Sequence, residues 1–448
     1  MTKRKYFGTD GIRGIANVPP ITADIALKIG AATGLYVSVN HKAKRVVIAK
    51  DTRLSGYMLE SAITSGLTSV GLDVFLLGPM PTPSISMMMK SMRADLGIMI
   101  SASHNTYEYN GIKIFGPDGY KLSDENESEI ENIIQNLDDY DLSKIKIGKA
   151  KRIDDAQARY IEYIKGTLSK ELTLDGMDIV IDSANGAGYK VAPLTLWELG
   201  ANVISIGDTP NGQNINQDHG STSLENIIDS VRKNKADIGI ALDGDADRII
   251  IIDENGEIVD GDTILAIIAK EWQETKKLKK NSVVATILSN IGLENYLSNQ
   301  SITLHRTMVG DRYVSQYMRE NGYNVGGEKS GHIILSDYST TGDGILAALH
   351  VLAIMKKKKQ KISDLAKLMD PYPQIQKNFI IKEDHTPDII QLRDLSEEHQ
   401  RKIGDKGRVL IRLSGTEPLV RVMVESKDKE LLDQTLIEIT EKLNDLLS

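Results

Sequence analysis

The 448-residue sequence contains no cysteine. This absence excludes disulfide frameworks, thiolate nucleophiles and cysteine-based zinc sites, and it suits a reducing compartment. An excess of positive charge is also missing, because the formal net charge is -8. No global positive field is therefore available to hold nucleic acid or an anionic membrane. We expect any anionic ligand to be bound by a local cluster of lysine and arginine.

Long apolar segments are absent as well. No stretch reaches the length of a transmembrane helix, and the basic and polar residues 1–10 are not followed by the apolar segment of an export signal. The sequence therefore predicts a protein that is neither inserted in a membrane nor exported. The cytoplasm is the compartment that we expect.

Short apolar, β-branched segments recur along the chain, each followed by a polar loop and a helical pattern. Residues 45–49, 177–181 and 282–287 begin three such stretches. This order is typical of βαβ units, so the sequence predicts an α/β fold in which one unit is used three times. The length exceeds what one hydrophobic core supports, and we expect three or four domains.

Charged or proline-containing segments interrupt this pattern at residues 138–152, 253–261 and 370–373, where we expect domain boundaries. The remaining tail predicts a smaller α+β unit. Two strands, at 408–413 and 420–425, flank a loop, and an amphipathic helix closes the chain from residue 429 to residue 447.

Three carboxylates follow the apolar segment 238–242 at alternate positions: Asp243, Asp245 and Asp247. Alternate side chains of extended backbone point the same way, and like charges so close repel one another. A hard cation relieves that repulsion, and Mg²⁺ suits an all-oxygen ligand set. A calcium EF-hand is disfavoured because Arg248 stands where its loop requires glycine. A solvated acidic turn is the other alternative.

A second polar segment, Ser101 to Asn105, follows the buried-strand pattern of residues 95–100. Hydroxyl groups at the carboxyl end of a parallel strand stand where α/β sheets bind ligands, which makes Ser103 a candidate nucleophile. A helix N-cap is an equally good interpretation. A serine hydrolase is disfavoured because the G-x-S-x-G turn is missing, and the adjacent His104 does not by itself form a dyad.

Two further loops suit a phosphorylated sugar. A hydroxyl-rich turn flanked by guanidinium groups predicts a phosphate cradle, with an ordinary hairpin loop as the alternative. Its residues are Arg412, Ser414, Gly415, Thr416 and Arg421. In the glycine-rich segment 326–332, Glu328 and Ser330 can bind sugar hydroxyls, while His332 is either a proton shuttle or a structural histidine.

Arg13, in the glycine-rich segment 6–14, and Lys113, ten residues after Ser103, add isolated cations to this acidic protein. A metal site, a hydroxyl nucleophile, a polyol loop and such cations together indicate phosphoryl transfer on a sugar.

With these five segments the sequence resembles the α-D-phosphohexomutase family nearly from end to end. The segments that carry the resemblance are residues 7–14, 101–105, 243–248, 326–332 and 412–418. The resemblance implies three mixed-sheet α/β domains of similar topology and a smaller α+β C-terminal domain around a central cleft. Their expected bounds are 1–150 for the serine loop, 151–254 for the metal loop, 255–370 for the sugar loop and 371–448 for the phosphate loop.

The resemblance also implies the roles of the site residues. Ser103 is expected to carry a phosphoryl group, and a phosphate oxygen on it would complete the ligands of one Mg²⁺ held by the three aspartates. Glu328 and Ser330 would bind sugar hydroxyls, and the cradle of residues 412–421 would bind the distal phosphate. The candidates for the proton acceptor, the proton donor and the stabilising cation are Arg13, His104, Lys113 and His332.

Within the family the sequence looks most like the branch that interconverts glucosamine 6-phosphate and glucosamine 1-phosphate. That likeness implies that glucosamine 1,6-bisphosphate is the intermediate and activator, and that the product supplies amino-sugar nucleotide for cell-wall precursors. It also implies that a kinase or the bisphosphate primes Ser103 and that the protein forms a homodimer. The alternatives are a phosphomannomutase or phosphoglucomutase, a sugar phosphatase, or a metal-binding protein without activity. Three residues, Thr106, Tyr109 and Lys329, depart from the common family pattern.

Overall fold

In the part of the chain that the structure describes, four sheets follow one another along the sequence. The computed structural model describes residues 5–8, 10–41, 44–381, 388–414 and 419–447, and within these only the backbone of residues 39–41. The four sheets of the described chain have six, five, four and three strands. None of the described helices is long and apolar enough to cross a membrane.

The first sheet belongs to the N-terminal unit. Its strands are β1 (Ile12–Ile15), β2 (Arg45–Lys50), β3 (Asp73–Pro79), β4 (Leu96–Ile100), β5 (Tyr109–Phe115) and β6 (Ala150–Arg152), in the order β1-β5-β4-β2-β3-β6. Its helices are α1 (Ala23–His41), α2 (Ser55–Ser69), α3 (Ser84–Met92) and α4 (Asp124–Gln135). Strand β2 is parallel to β3 and β4, whereas β5 is antiparallel to β4.

The second sheet has the order β11-β10-β9-β7-β8. Its strands are β7 (Asp178–Asp182), β8 (Asn202–Ile206), β9 (Ile238–Leu242), β10 (Ile249–Asp253) and β11 (Ile258–Val259). The helices of this unit are α5 (Ala156–Lys165), α6 (Val191–Glu198) and α7 (Glu225–Asn234). Strand β7 is parallel to β8 and β9, and β10 is antiparallel to β9.

The third sheet has the order β13-β12-β14-β15. Its strands are β12 (Ser282–Thr286), β13 (Thr303–Thr307), β14 (Val325–Gly327) and β15 (Ile333–Leu335). The helices of this unit are α8 (Gly261–Glu274), α9 (Ile291–Asn299), α10 (Asp311–Asn321), α11 (Gly344–Lys358) and α12 (Ile362–Ala366). Strand β12 is parallel to β13 and β14, and β15 is antiparallel to β14.

The first three sheets share one topology, which confirms the predicted repeat. In each, a central strand lies between two parallel neighbours, and a fourth strand turns back beside the third. The third and fourth strands are β4 and β5 in the first unit, β9 and β10 in the second, and β14 and β15 in the third. The serine, metal and sugar loops all lie at this same turn.

The C-terminal unit is smaller and of a different class, as predicted. Its strands β16 (Gln374–Ile380), β17 (Gly407–Leu413) and β18 (Leu419–Ser426) form an antiparallel sheet in the order β16-β18-β17. Helices α13 (Ile389–Ile403) and α14 (Lys429–Leu447) accompany it. The observed α14 has the bounds that the amphipathic pattern predicts.

The cores explain how the loops are supported. One apolar cluster, which includes Val47 in β2 and Leu352 in α11, joins the first three units. The C-terminal sheet has its own cluster, which includes Val422 and Ile439. Every residue of β4 and β9 is buried, as expected for strands with both faces covered. Loops that leave such strands start from fixed positions.

Candidate active site

The serine loop (residues 101–108) and the metal loop (residues 243–248) meet at the seam between the first two units. Ser103 is 1% exposed, and its Oγ donates a hydrogen bond to Oδ2 of Asp243 at 2.5 Å. A strand, not a helix, follows the serine loop, so the alternative of a helix N-cap is wrong. The structure therefore joins the predicted nucleophile to the predicted metal ligands.

The three aspartates form a compact, buried cluster. Ligand oxygens of Asp243, Asp245 and Asp247 all lie within 4.8 Å of one another. Burial, together with the two neighbouring carboxylates, raises the pKa of Asp243 well above its usual value. Because all three residues are buried, a solvated acidic turn is wrong, and because β10 follows where an EF-hand needs a helix, that alternative is wrong too.

The cluster fits a hard divalent cation. Oδ1 of Asp245 and Oδ1 of Asp247 are buried and have no hydrogen-bond partner in the described part of the chain. Buried carboxylate oxygens without partners are unfavourable unless they are neutralised or bound to a metal. The all-oxygen donor set is the kind that Mg²⁺ prefers.

Lys113 and Thr82, both in the first unit, contact this cluster of aspartates. Nζ of Lys113 lies 2.7 Å from Oδ2 of Asp245 and 3.2 Å from Oδ2 of Asp247, and Oγ1 of Thr82 donates to Asp245 at 2.5 Å. Burial opposes ionisation of Asp245, but these contacts, above all with Lys113, hold the pKa of its carboxyl below the usual value. Burial opposes the charge of Lys113, but Asp245 and Asp247 raise its pKa above the usual value, so Lys113 stays charged beside the aspartate cluster.

Arg13 belongs to a second charged chain that crosses from the first unit to the third. Arg13 and Lys121 both bind Asp10, and Nζ of Lys121 also lies 2.5 Å from Oδ2 of Asp311. Asp311 in turn lies 3.4 Å from Nε2 of His332. This chain of contacts links Arg13 to His332.

The two candidate histidines have different surroundings. Nε2 of His332 accepts a hydrogen bond from the backbone N–H of Gly342 at 3.2 Å. That contact needs a lone pair on Nε2, whereas a hydrogen bond to Asp311 needs a proton there, so the two contacts need different tautomers of the ring. Burial and the charges of Arg248 and Arg13 lower the pKa of His104 to about 4, which keeps its ring neutral at pH 7.

The sugar loop (residues 328–332) packs directly on the metal loop. The N–H of Ile249 donates to the carbonyl oxygen of Gly331 at 3.0 Å, and a Cβ at Gly331 would lie 1.9 Å from the oxygen of Ile249. Glu328 is buried, which raises the pKa of its carboxyl, and its Oε1 accepts from Gly310 at 3.2 Å. The hydroxyl of Ser330 is on an exposed residue.

The C-terminal unit holds the predicted phosphate cradle. Arg412 on β17 is the direct cross-strand partner of Arg421 on β18. Burial and the charge of Arg421 lower the pKa of Arg412, and two such like charges form a pair that an anion would stabilise. The N–H of Ser414 donates to Leu419 at 2.8 Å, while Gly415 and Thr416 lie outside the described residues.

The sequence interpretation missed several residues of the site, among them Thr82, which contacts Asp245, and Lys121, which contacts Asp10 and Asp311. It also missed Arg53, whose guanidinium donates to Ser103, and Asn216, which donates to the same carbonyl oxygen. The signal that could have found Arg53 is its place just beyond the buried strand β2, where polar residues of a parallel sheet meet ligands. Asn216 has no comparable local signal.

The three departures from the family pattern have clear positions. Thr106 and Tyr109 are exposed and contribute backbone carbonyl oxygens to the hydrogen bonds of Arg53, which do not depend on their side chains. Lys329 donates from Nζ to Oε1 of Gln374 at 2.8 Å and so connects the sugar loop to β16.

Comparison with known proteins places these observations in one family. Models of the phosphoglucomutase/phosphomannomutase family match in chain order: α/β/α domain I over residues 4–141, domain II over 158–256, domain III over 260–372 and the C-terminal domain over 354–442. These models together span most of the chain.

Relatives and solved structures agree. Phosphoglucosamine mutase of Parvibaculum lavamentivorans is 55% identical over 97% of this chain and 98% of its own, and that of Methylobacterium nodulans is 54% identical over 98% and 99%. A phosphoglucomutase/phosphomannomutase family protein from Burkholderia thailandensis has the same fold, with a TM-score of 0.84 at 23% identity over 98% of this chain and 97% of that one. The chain therefore belongs to the phosphoglucomutase/phosphomannomutase family, and within that family it is similar to the phosphoglucosamine mutases along nearly its whole length.

Proposed function

We propose that this protein is an isomerase-class phosphotransferase that interconverts glucosamine 6-phosphate and glucosamine 1-phosphate. The observation that carries the proposal is the 2.5 Å hydrogen bond from Ser103 to Asp243, which holds a buried hydroxyl on a buried carboxylate cluster. The choice of an amino sugar is supported by relatives at 54–55% identity that are named phosphoglucosamine mutase.

Ser103 carries the transferred phosphoryl group. In the first half-reaction the free sugar hydroxyl attacks phosphorus, the bond from phosphorus to Oγ of Ser103 breaks, and the hydroxyl proton passes to a base. The product is glucosamine 1,6-bisphosphate. After the bisphosphate reorients in the cleft, Oγ of Ser103 attacks the phosphorus of its other phosphate. The bond from that phosphorus to the sugar oxygen breaks, the oxygen takes up a proton, and the second monophosphate is released.

Asp243, Asp245 and Asp247 would hold the Mg²⁺ ion, together with a phosphate oxygen on Ser103. When bound, the ion neutralises charge on the phosphoryl group during transfer. Lys113, already in contact with two of these carboxylates, adds a second cation that stabilises the serine oxygen as it leaves.

Proton transfer falls to His104 and His332 in this proposal. Nδ1 of His104 and Nδ1 of His332 are both buried and have no hydrogen-bond partner among the residues that the structure describes. Each is thus free to bind a substrate hydroxyl. Arg13, held by Asp10, supplies positive charge at the same seam.

A second phosphate site separates a mutase from a phosphatase, because only a mutase must hold the phosphate that is not reacting. The cross-strand pair of Arg412 and Arg421, with Ser414 at the end of β17, supports such a site in the C-terminal unit. We assign Gly415 and Thr416 to the same cradle. Glu328 and Ser330 would fix the sugar ring between the two phosphate sites.

The test is an activity assay that compares two sugar phosphates, each supplied separately. The protein is incubated with Mg²⁺, a trace of the matching 1,6-bisphosphate and either glucosamine 6-phosphate or glucose 6-phosphate, and formation of the 1-phosphate is followed by phosphorus NMR. We expect faster turnover of the amino sugar and none with Ser103→Ala. Preference for glucose 6-phosphate would place the protein with phosphoglucomutases, and release of free phosphate alone would contradict a mutase.

Three further features belong to the same proposal. Ser103 is primed by a kinase or by the bisphosphate, which the intact mass of the protein before and after incubation with glucosamine 1,6-bisphosphate would test. The protein acts in the cytoplasm, where its product feeds amino-sugar nucleotide synthesis. It forms a homodimer, and light scattering that gives the monomer mass would contradict this.

A further inference from the structure

The serine loop has a backbone conformation that needs support. Ser103 has φ +51°, in the left-handed region that residues with a side chain rarely adopt. Such a conformation is unfavourable by about 1–2 kcal/mol and persists only where its surroundings enforce it. In addition, Oγ of Ser103 points into a cluster of three carboxylates, which would repel a phosphoryl group on it. Contacts elsewhere must therefore hold the loop in place.

Arg53 makes most of those contacts. Its guanidinium is fully buried and is bound through Nε to Oδ2 of Asp51 at 2.8 Å. The two remaining nitrogens donate to four backbone carbonyl oxygens in and after the serine loop. These oxygens belong to Ser103 at 2.9 Å, Asn105 at 2.8 Å, Tyr109 at 3.1 Å and Thr106.

Asn216 reaches the same loop from the second unit. Its Nδ2 donates to the carbonyl oxygen of Ser103 at 2.9 Å and to that of Asn105 at 2.8 Å. Gly244 of the metal loop lies close to the carbonyl oxygen of Ser103, since a Cβ at Gly244 would be 2.5 Å from that oxygen. Arg53 and Asn216 thus share two carbonyl oxygens from opposite sides of the interface between the units.

We propose that Arg53, assisted by Asn216, is a positioning residue for phosphoryl transfer. This inference rests on the proposed function of Ser103. Apart from Asp51, Arg53 donates only to backbone oxygens, so it acts by fixing where Oγ of Ser103 stands relative to Asp243. A planar guanidinium serves several acceptors at once, whereas the ammonium of lysine is a compact group with three donors and cannot reproduce that geometry.

Two variants test the proposal. Arg53→Lys keeps a positive charge beside Asp51 but loses the planar fork. Asn216→Gly removes the side chain with its amide, and glycine suits the φ of +59° at this position. The matched control is Asp218→Gly, because Asp218 lies in the same loop with φ +56° and is exposed. For each protein, kcat, KM, thermal unfolding and the rate of Ser103 phosphorylation by the bisphosphate are measured.

A displacement of about 1 Å can slow a positioned reaction by roughly 100-fold. We therefore expect kcat to fall by roughly 100-fold in Arg53→Lys and by roughly tenfold in Asn216→Gly. KM for the sugar phosphate should stay within about twofold, because the sugar and phosphate loops are untouched. The rate of Ser103 phosphorylation should fall in parallel with kcat, and Asp218→Gly should behave as the wild type.

Unchanged kcat in folded Asn216→Gly would overturn the proposal, and so would an equal loss in Asp218→Gly. If Arg53→Lys does not fold, the kcat of Asn216→Gly alone tests the proposal. A wild type that turns over no sugar phosphate contradicts the proposed function instead. Slow variants of an active wild type concern only the positioning by Arg53 and Asn216.

Discussion

Replacing Lys113 by methionine should destabilise the protein mainly when Mg²⁺ is absent. The Lys113 side chain is 2% exposed and binds two buried aspartates, Asp245 at 2.7 Å and Asp247 at 3.2 Å. Methionine has a similar shape but no charge, so the variant removes the cation in closest contact with the buried carboxylates. Like charges in a low-dielectric site then repel one another or take up protons.

The expected loss follows from this geometry. Removing one partner of a buried ion pair typically costs about 3–5 kcal/mol, because the other charge stays buried and unpaired. For a unit of about 150–250 residues the melting temperature shifts by about 2–4 °C per kcal/mol, so we expect a fall of roughly 10 °C if the N-terminal unit melts on its own. A cation that binds the folded state alone restores about 2.7 kcal/mol at 100 times its dissociation constant. The variant should therefore regain a large part of its stability in Mg²⁺.

The assay is thermal unfolding of wild type and Lys113→Met in EDTA and across a Mg²⁺ titration. The matched control is Lys144→Met, since Lys144 pairs with Asp141 at 3.2 Å while 86% exposed. Exposed ion pairs contribute about 0–1 kcal/mol, so this control should melt like the wild type and respond equally to Mg²⁺. The melting temperature reports on the site without any need for turnover.

Two results would refute the reasoning. One is a melting temperature of Lys113→Met in EDTA equal to that of the wild type, which would mean that the ammonium does not balance the charge of the carboxylates. The other is an equal rise in melting temperature with Mg²⁺ in both proteins, which would place the metal away from Lys113.

Three further substitutions test other parts of the site and the core. Asp245→Asn should keep the fold but weaken Mg²⁺ binding, measured by calorimetry, and lose most activity, because a neutral amide replaces a charged ligand. Glu328→Gln should lower kcat/KM by roughly tenfold or more, since in the proposed function it replaces a carboxylate acceptor of sugar hydroxyls by a neutral amide. His350→Phe tests a pH dependence. Burial and the charge of Lys277 lower the pKa of His350 to about 4, below the 6.5 of an exposed histidine. His350 therefore contributes stability, about 3 kcal/mol, that is complete above pH 6.5 and is lost as the pH falls toward 4. In melting curves between pH 7 and pH 4, the phenylalanine variant should gain stability relative to the wild type as the pH falls.

Each of these expectations has a contradicting outcome. Turnover of Asp245→Asn that is normal at every Mg²⁺ concentration would remove that residue from the ligand set. A kcat/KM of Glu328→Gln equal to the wild type would mean that the sugar does not reach this carboxylate. A difference in melting temperature between His350→Phe and wild type that stays constant with pH would show that His350 titrates normally in the folded protein.

Much of the fold was predictable because its signals are local. The apolar segments at 45–49, 177–181 and 282–287 became the central strands β2, β7 and β12, and the amphipathic pattern at 429–447 became α14. Period and burial act over a few residues, so the sequence contains them in full. The equivalence of the serine, metal and sugar loops was not visible, because it depends on which strands pair within each sheet.

The candidate site divides in the same way. The alternation of Asp243, Asp245 and Asp247 by itself predicts a shared face and mutual repulsion, and hence a cation, since these residues are neighbours in the chain. This local pattern does not indicate which lysine or arginine contacts the three carboxylates. Lys113 is 132 residues from Asp245, and Asn216 is 113 residues from Ser103.

The amino-acid sequence by itself therefore determined the class of fold and the chemical groups of the site, because spacing and residue type act over short range. The tertiary structure alone decided that Lys113 braces the carboxylates, that His332 faces Asp311, and that Arg53 and Asn216 hold the serine loop. These contacts arise only when buried sheets from different units pack together, and no pattern within one segment of the chain specifies that packing.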